Sequence, residues 1–194
     1  MYVQLIKYIE QNSAVQLNND EIQIINNNFI PKKFRRRQFL LHEGEVCKYV
    51  AFILKGAMRQ YSIDEKGKEH IVGLCIENWW AGDRESFTKE SPSGYFIDAW
   101  ENTDVLMISK NNLVNLAKSV PAAAELSKIL DERQAIALLK RINSAISYSA
   151  EQRLADLEKT YPEFLQRFPQ HIIASYLGMT KETLSRIRST GLKK

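Results

Sequence analysis

Apolar positions along this chain change their spacing twice. Over residues 1–30 they recur at helical intervals: Leu5, Ile6 and Ile9, then Ile22, Ile25 and Phe29. Between the two groups, Asn18, Asn19, Asp20 and Glu21 supply helix-start chemistry, because short polar side chains accept from the free N–H groups of a first turn. From about residue 34 to 107 the texture becomes short strands with turn signals. Residues 39–41 run up to Gly44, residues 49–54 end at Lys55 and Gly56, and residues 57–63 alternate loosely. Asp64-Glu65-Lys66-Gly67 then turns the chain into residues 69–76, its glycine suiting a type I turn or a bulged hairpin. Residues 95–97 and 105–108 are strand-like too. Short strands broken by glycines predict an all-β barrel or jelly roll.

From Ser109 onward the helical period returns. After Pro121, positions such as Leu126, Ile129, Leu130, Ile136, Ile142 and Ile146 predict a helix of about 25 residues, longer than a small domain needs. Such a helix either crosses its own domain or pairs with a twin, and the sustained apolar seam favours the twin. A break at residues 147–149 precedes a helix over 150–160, stopped by Tyr161 and Pro162. The fold class is therefore α+β. A jelly-roll-like β-roll with flanking helices (residues 1–118) leads through a long helix whose seam suits dimerisation (119–147) into a small all-α domain (148–194).

The last domain carries the clearest motif. Residues 170–190 read QHIIASYLGMTKETLSRIRST, and residues 169–193 are expected to form a helix-turn-helix. Two helices that cross closely need a small residue in the first, here Ala174. They also need a turn residue tolerant of positive φ, here Gly178. Ile173, Leu177, Met179, Leu184 and Ile187 fall on the inward faces, and Thr180 is placed to cap the second helix. Its outer face then carries Lys181, Glu182, Thr183, Ser185, Arg186 and Arg188. If that helix enters a DNA major groove, Lys181 and Arg186 are candidates for guanine and Glu182 for a cytosine amino group. Thr183, Ser185 and Arg188 suit phosphate.

Charge sharpens this reading. Net charge is only +4, but residues 166–194 hold six basic residues against one acid, while the first 165 residues are nearly balanced. The positive excess sits on the helix-turn-helix end, as a nucleic-acid partner requires. A second basic run, Lys32-Lys33-Phe34-Arg35-Arg36-Arg37, sits just before the first expected strand and reads as a solvated edge that discourages strand pairing.

The order of parts resembles the cyclic-AMP receptor protein/fumarate–nitrate regulator (CRP/FNR) superfamily of transcription factors over nearly the whole chain. The residues that carry the resemblance are Phe39-Leu40 with Gly44, Phe52-Ile53-Leu54-Lys55-Gly56, the hairpin at residues 64–69, and Trp80-Ala81-Gly82-Asp83. The resemblance implies a homodimer along the long helix, double-stranded DNA as partner, effector-driven reorientation of the DNA-binding domains and contact with RNA polymerase. It also implies a pocket for a cyclic nucleotide or another small effector, formed by Gly82, Asp83, Arg84, Ser93 and Gly94. In that family a Gly-Glu pair opens a short helix, and an arginine about ten residues later offsets the cyclic phosphate. Here Gly82-Asp83 matches the pair, but Ser93 stands where the arginine falls. A serine cannot offset the burial of a phosphate charge, so lost or altered nucleotide specificity is expected. Trp79, Trp80, Phe87, Tyr95, Phe96 and Trp100 crowd the region and read mainly as core. Many relatives continue into a β-hairpin wing; Thr190-Gly191-Leu192-Lys193-Lys194 closes this chain, so wing contacts are not expected.

Other classes are less well served. Hydrophobic residues make up 44% and charged residues 26%, an ordinary globular balance. No apolar run reaches the roughly 18 residues of a membrane span, and the first residues do not read as a signal peptide, so cytoplasmic residence is expected. Cys47 and Cys75 are too few for a cluster and read as small strand residues. An oxygenase of the roll type would need converging histidines, and His42 and His70 do not supply the set, so no catalytic or metal site is assigned. The remaining alternative is an effector-binding or protein-interaction signalling module whose helix-turn-helix is vestigial.

Overall fold

A computed structural model describes residues 1–191. Leu192, Lys193 and Lys194 lie outside the described residues, and with them the end of the expected helix-turn-helix and two of its cations. Two helices open the chain, α1 (Val3–Ser13) and α2 (Asn19–Asn28). The second starts where its polar residues predict: Glu21 N–H donates to Asn18 Oδ1 (2.9 Å) and Asn18 N–H to the Glu21 carboxylate (2.9 Å).

The roll follows. Its strands are β1 (Ile30–Phe34), β2 (Phe39–Leu41), β3 (Tyr49–Lys55), β4 (Met58–Ile63), β5 (Glu69–Cys75) and β6 (Trp80–Ala81). After α3 (Arg84–Lys89) come β7 (Phe96–Ala99) and β8 (Thr103–Ser109). They form two antiparallel sheets, ordered β1-β8-β3-β6 and β2-β7-β4-β5. Ala51, Phe52 and Ile53 are buried in succession because the first sheet is covered on both faces. Ala51 and Ile53 meet Phe34, Met58, Ile97 and Val105 between the sheets. Phe52 points the other way, under the helices, with Leu5, Ile9, Ile25 and Leu106.

The structure corrects the sequence reading at β1 and Cys47 and extends it at β6 and Pro162. The first strand begins at Ile30, so Lys32 and Lys33 lie within β1 rather than before it; β1 is an edge strand, which tolerates its proline and lysines. Cys47 lies in the loop between β2 and β3, not in a strand, while Cys75 closes β5. The two-residue β6 is too short to leave a periodic signal. Pro162 does stop the 150–160 helix as expected, and it also opens a further short helix, because proline is well tolerated at a first helical position.

The C-terminal half is helical: α4 (Lys110–Ser119), α5 (Pro121–Ser147), α6 (Ala150–Thr160), α7 (Pro162–Arg167), α8 (Gln170–Tyr176) and α9 (Lys181–Gly191). The long α5 has two regimes. Ala122, Ala123 and Leu126 are buried with residues of α1 and α4, whereas Ile136, Leu138, Leu139, Ile142 and Ile146 are exposed. The helices after α5 lie on the outer face of the second sheet. There Tyr61, Ile71 and Leu74 share one buried cluster with Leu154, Leu157, Phe164, Phe168, Ile172, Ile173 and Leu184.

Candidate nucleic-acid interface and sensor pocket

Helices α8 and α9 form the hairpin that the motif predicts, and the backbone explains why. At the end of α8, Met179 N–H donates to Ala174 O (2.9 Å) and Gly178 N–H to Ser175 O (3.1 Å). This pair of bonds closes a helix around a left-handed residue, and Gly178 sits at φ +66°. Ala174 is buried at the crossing and Leu184 packs opposite it. Thr180 Oγ1 accepts from Thr183 N–H (3.2 Å), capping α9.

Of the proposed contact residues, Lys181, Glu182, Ser185, Arg186 and Arg188 are exposed, and Thr183 is half-buried against the cap. Lys181, Ser185 and Arg188 recur at four- and three-residue steps, so they form one stripe; Glu182 and Arg186 form the next. Glu182 is held below the usual carboxylate range by its own backbone N–H at the helix start, by Thr180 and by Lys181. It is ionised at neutral pH, as an acceptor should be.

The cation count of this end needs correction. Arg167 does not face outward: its guanidinium forks between Glu77 and Glu101 of the roll, with Arg167 Nη2 2.8 Å from Glu101. Three further links bind the same end to the roll. Ile71 N–H donates to Ser175 Oγ (3.0 Å), and Trp100 Nε1–H donates to Arg167 O (3.2 Å). Arg141 of α5 donates to the carbonyls of Val72 and Ile71 on β5, and its guanidinium lies 4.6 Å over the ring of Tyr176 on α8. Sequence spacing carries no signal for these pairings, whose partners are separated by 35 to 104 residues.

The aromatics follow the same logic. Trp79 packs on Tyr161 (5.2 Å) and Phe164 (5.7 Å), and Trp100 on Phe168 (6.0 Å). Trp80 packs on Phe52 (5.2 Å) under the N-terminal helices, and Phe87 lies between the sheets. These rings hold the helical end and the helical cover to the roll.

The five expected effector residues fall around α3. Asp83 is buried and caps that helix, accepting from Glu85 N–H (3.1 Å) and Ser86 N–H (3.4 Å). Ser93, also buried, donates to the other Asp83 oxygen (2.7 Å) and accepts from Tyr95 N–H (3.0 Å). The serine thus uses its proton on the carboxylate, and among the described residues no cation pairs with Asp83. Arg84 turns outward and pairs with Asp131 and Gln134 (2.7 Å) on α5. Gly82 has a packing role, since a Cβ there would come within 2.8 Å of Val50 Cγ1, and Gly94 is exposed. The residues present do not fit an anionic cyclic phosphate. His42 pairs with Glu45 (3.4 Å) and His70 with Asp64 (2.8 Å). Among the described residues, no group of three or more His, Cys, Asp or Glu converges as a metal site would need, and no helix is long and apolar enough to cross a membrane.

Comparison with known proteins agrees with this architecture. The family model described as a cyclic nucleotide-binding domain matches residues 31–120. The anaerobic regulatory protein of Haemophilus influenzae is 29% identical over 189 residues, covering 88% of this chain and 70% of its own. The fumarate nitrate reduction regulatory protein of Klebsiella oxytoca is 29% identical over 187 residues, covering 88% and 72%. Among solved structures, FixK2 from Bradyrhizobium japonicum matches with a TM-score of 0.70 at 20% identity, over 84% of this chain and 83% of that one.

Proposed function

Because this chain carries a cyclic nucleotide-binding domain, is homologous to the FNR/CRP family of transcription regulators and has their fold, we propose that it is a sequence-specific DNA-binding regulator acting as a homodimer. The observation that carries the reading is the outer face of α9. Its 11 residues span about 16 Å, enough to lie along a major groove about 12 Å wide. Lys181, Arg186 and Arg188 on that face enter no ion pair with a carboxylate among the described residues. The exposed stripe of α5, with Ile136, Leu139, Ile142 and Ile146 at three- and four-residue steps, supplies the apolar seam for a second copy.

The roll senses an effector that is not a cyclic phosphate diester, since Asp83 and Ser93 satisfy each other and Arg84 is committed to α5. The Arg84–Asp131 link joins α3 to the long helix ten residues before Arg141 ties that helix to β5 and α8. An effector that moves α3 therefore acts on the helical end through α5.

Selection of duplexes from a random pool, followed by anisotropy titration, tests DNA reading. A preferred sequence should emerge, bound at least about 10³-fold more tightly than unrelated DNA. Arg186→Ala should lose about 1–3 kcal/mol at that site and relax one base position. A pool that yields no preference would assign the chain to the interaction-module class instead. Calorimetry with cyclic AMP and cyclic GMP should show no binding; micromolar affinity would overturn the sensor reading.

A further inference from the structure

The fold brings the basic run at residues 32–37 beside the helix-turn-helix, where Arg36 lines one groove with Arg188. Arg35, Arg36 and Arg37 form the exposed turn between β1 and β2. That turn is pinned to the roll: Arg36 N–H donates to Asn102 Oδ1 (3.0 Å) and Arg37 N–H to Ala99 O (2.7 Å). The Arg36 guanidinium lies 5.4 Å over the Trp100 ring, which orders it without neutralising it. Across from it, lining the same groove of about 720 Å³, is Arg188 of α9.

The groove's other charges cancel. Arg167 lines it too, but is neutralised by Glu77 and by Glu101, the carboxylate in the groove. What remains is two guanidinium groups, Arg36 and Arg188, that enter no ion pair among the described residues. Arg188 is also the last member of the Lys181–Ser185–Arg188 stripe. A guanidinium unpaired among the described residues therefore stands on each side of the groove, one on α9 and one on the roll.

We propose that the arginine turn is a second DNA contact, in which Arg36 and Arg35 hold the phosphate backbone flanking the sequence that α9 reads. The proposal rests on the DNA-binding reading above and extends it to a part of the sensor. Guanidinium forks match phosphate oxygens, and a tight turn on a roll offers no element deep enough to reach base edges. The contact is therefore sequence-independent and counted by salt.

The test uses the full chain and a selected duplex in two lengths, one covering only the site and one extended by about a helical turn on each side. Affinity is measured by anisotropy from 50 to 200 mM salt for wild type, Arg36→Gln, the Arg35→Gln/Arg36→Gln double variant and Lys7→Gln. The last removes an exposed charge on α1 that does not line the groove. On the long duplex, each lost phosphate contact should flatten the slope of log K against log salt by about 0.9, roughly a threefold smaller salt loss over this range. The weakening should be equal for selected and unrelated sequences, and the short duplex should bind all four proteins alike. Thermal midpoints should match, since these side chains are exposed.

A wild-type slope in the double variant on the long duplex would overturn the proposal while leaving DNA binding intact. So would an equal loss on both lengths. Micromolar binding of inorganic phosphate or cyclic AMP that Arg36→Gln abolishes would make the groove a small-anion site and also overturn it. If wild type binds neither duplex, this proposal and the DNA-binding reading fall together.

Discussion

Replacing Arg167 with methionine should loosen the helical end from the roll without emptying the space its side chain fills. The guanidinium holds two carboxylates, Glu77 and Glu101, whose side chains are 34% and 38% exposed. A charged hydrogen bond contributes about 1.5–3 kcal/mol when sheltered, but partners this open are screened, leaving about 1–2 kcal/mol for the whole fork. For a chain of this size that lowers the thermal midpoint by about 2–8 °C. Burial works against ionisation of Glu77, yet hydrogen bonds from Arg167 and the Gly56 N–H outweigh it and hold the carboxyl below its usual range. A carboxyl lowered in the folded state contributes stability above its unfolded value of about 4.3, and that contribution is lost as pH falls through the lower folded value. The difference between wild type and Arg167→Met should therefore be full at pH 7 and narrow below about pH 4. Calorimetry or tryptophan fluorescence reads it, since Trp100 donates to the Arg167 carbonyl. Equal midpoints at pH 7, or a difference that persists undiminished in acid, would refute the reasoning.

Arg59→Met should cost about 3–5 kcal/mol in urea unfolding, because it strands Asp98, whose side chain is only 5% exposed, without its bidentate partner; a loss under 1 kcal/mol would show that water reaches Asp98. Leu139→Glu with Ile146→Glu should leave the monomer fold intact, since both positions are exposed, and halve the mass seen by sedimentation; an unchanged mass would remove α5 as the seam. Gly178→Ala should cost about 1–2 kcal/mol, all of it from the left-handed backbone, because a Cβ there meets nothing within 4 Å. Burial pushes the Cys75 thiol up to about 12, so at pH 8 it should resist alkylation in the native protein and react on denaturation; rapid native labelling at Cys75 would contradict its placement.

The elements that local chemistry specifies were legible in the sequence. The Asn18–Glu21 helix start, the 150–160 helix and the α8–α9 hairpin each depend on residues within a few positions of one another, and each occurs where those residues place it. The two-residue β6 and the six-residue α7 were not legible, because neither is long enough to establish a period. The dual character of α5 was half legible. Its apolar spacing marks a helix that needs cover, but not that its first turns find cover on α1 and α4 while its later ones do not.

The candidate site divides along the same line. Exposed residues of α9 follow from helical period alone, so their arrangement could be read directly. Charge pairing across the chain could not, and it changes what the residues mean. Arg167 counts toward a basic end by composition, yet it is held by Glu77 and Glu101 and adds nothing to the outward field. Arg36 counts toward a solvated edge, yet the turn that carries it is hydrogen-bonded beside Trp100 and shares a groove with Arg188. Ser93 shows the intermediate case. Its position revealed that a cation is missing, but only the fold reveals that its hydroxyl is already bonded to Asp83. A cyclic phosphate beside Ser93 would meet the Asp83 carboxylate, which Ser93 and the Glu85 and Ser86 N–H groups already hold. The substitution therefore does more than remove an attraction: it leaves a like charge as the neighbour.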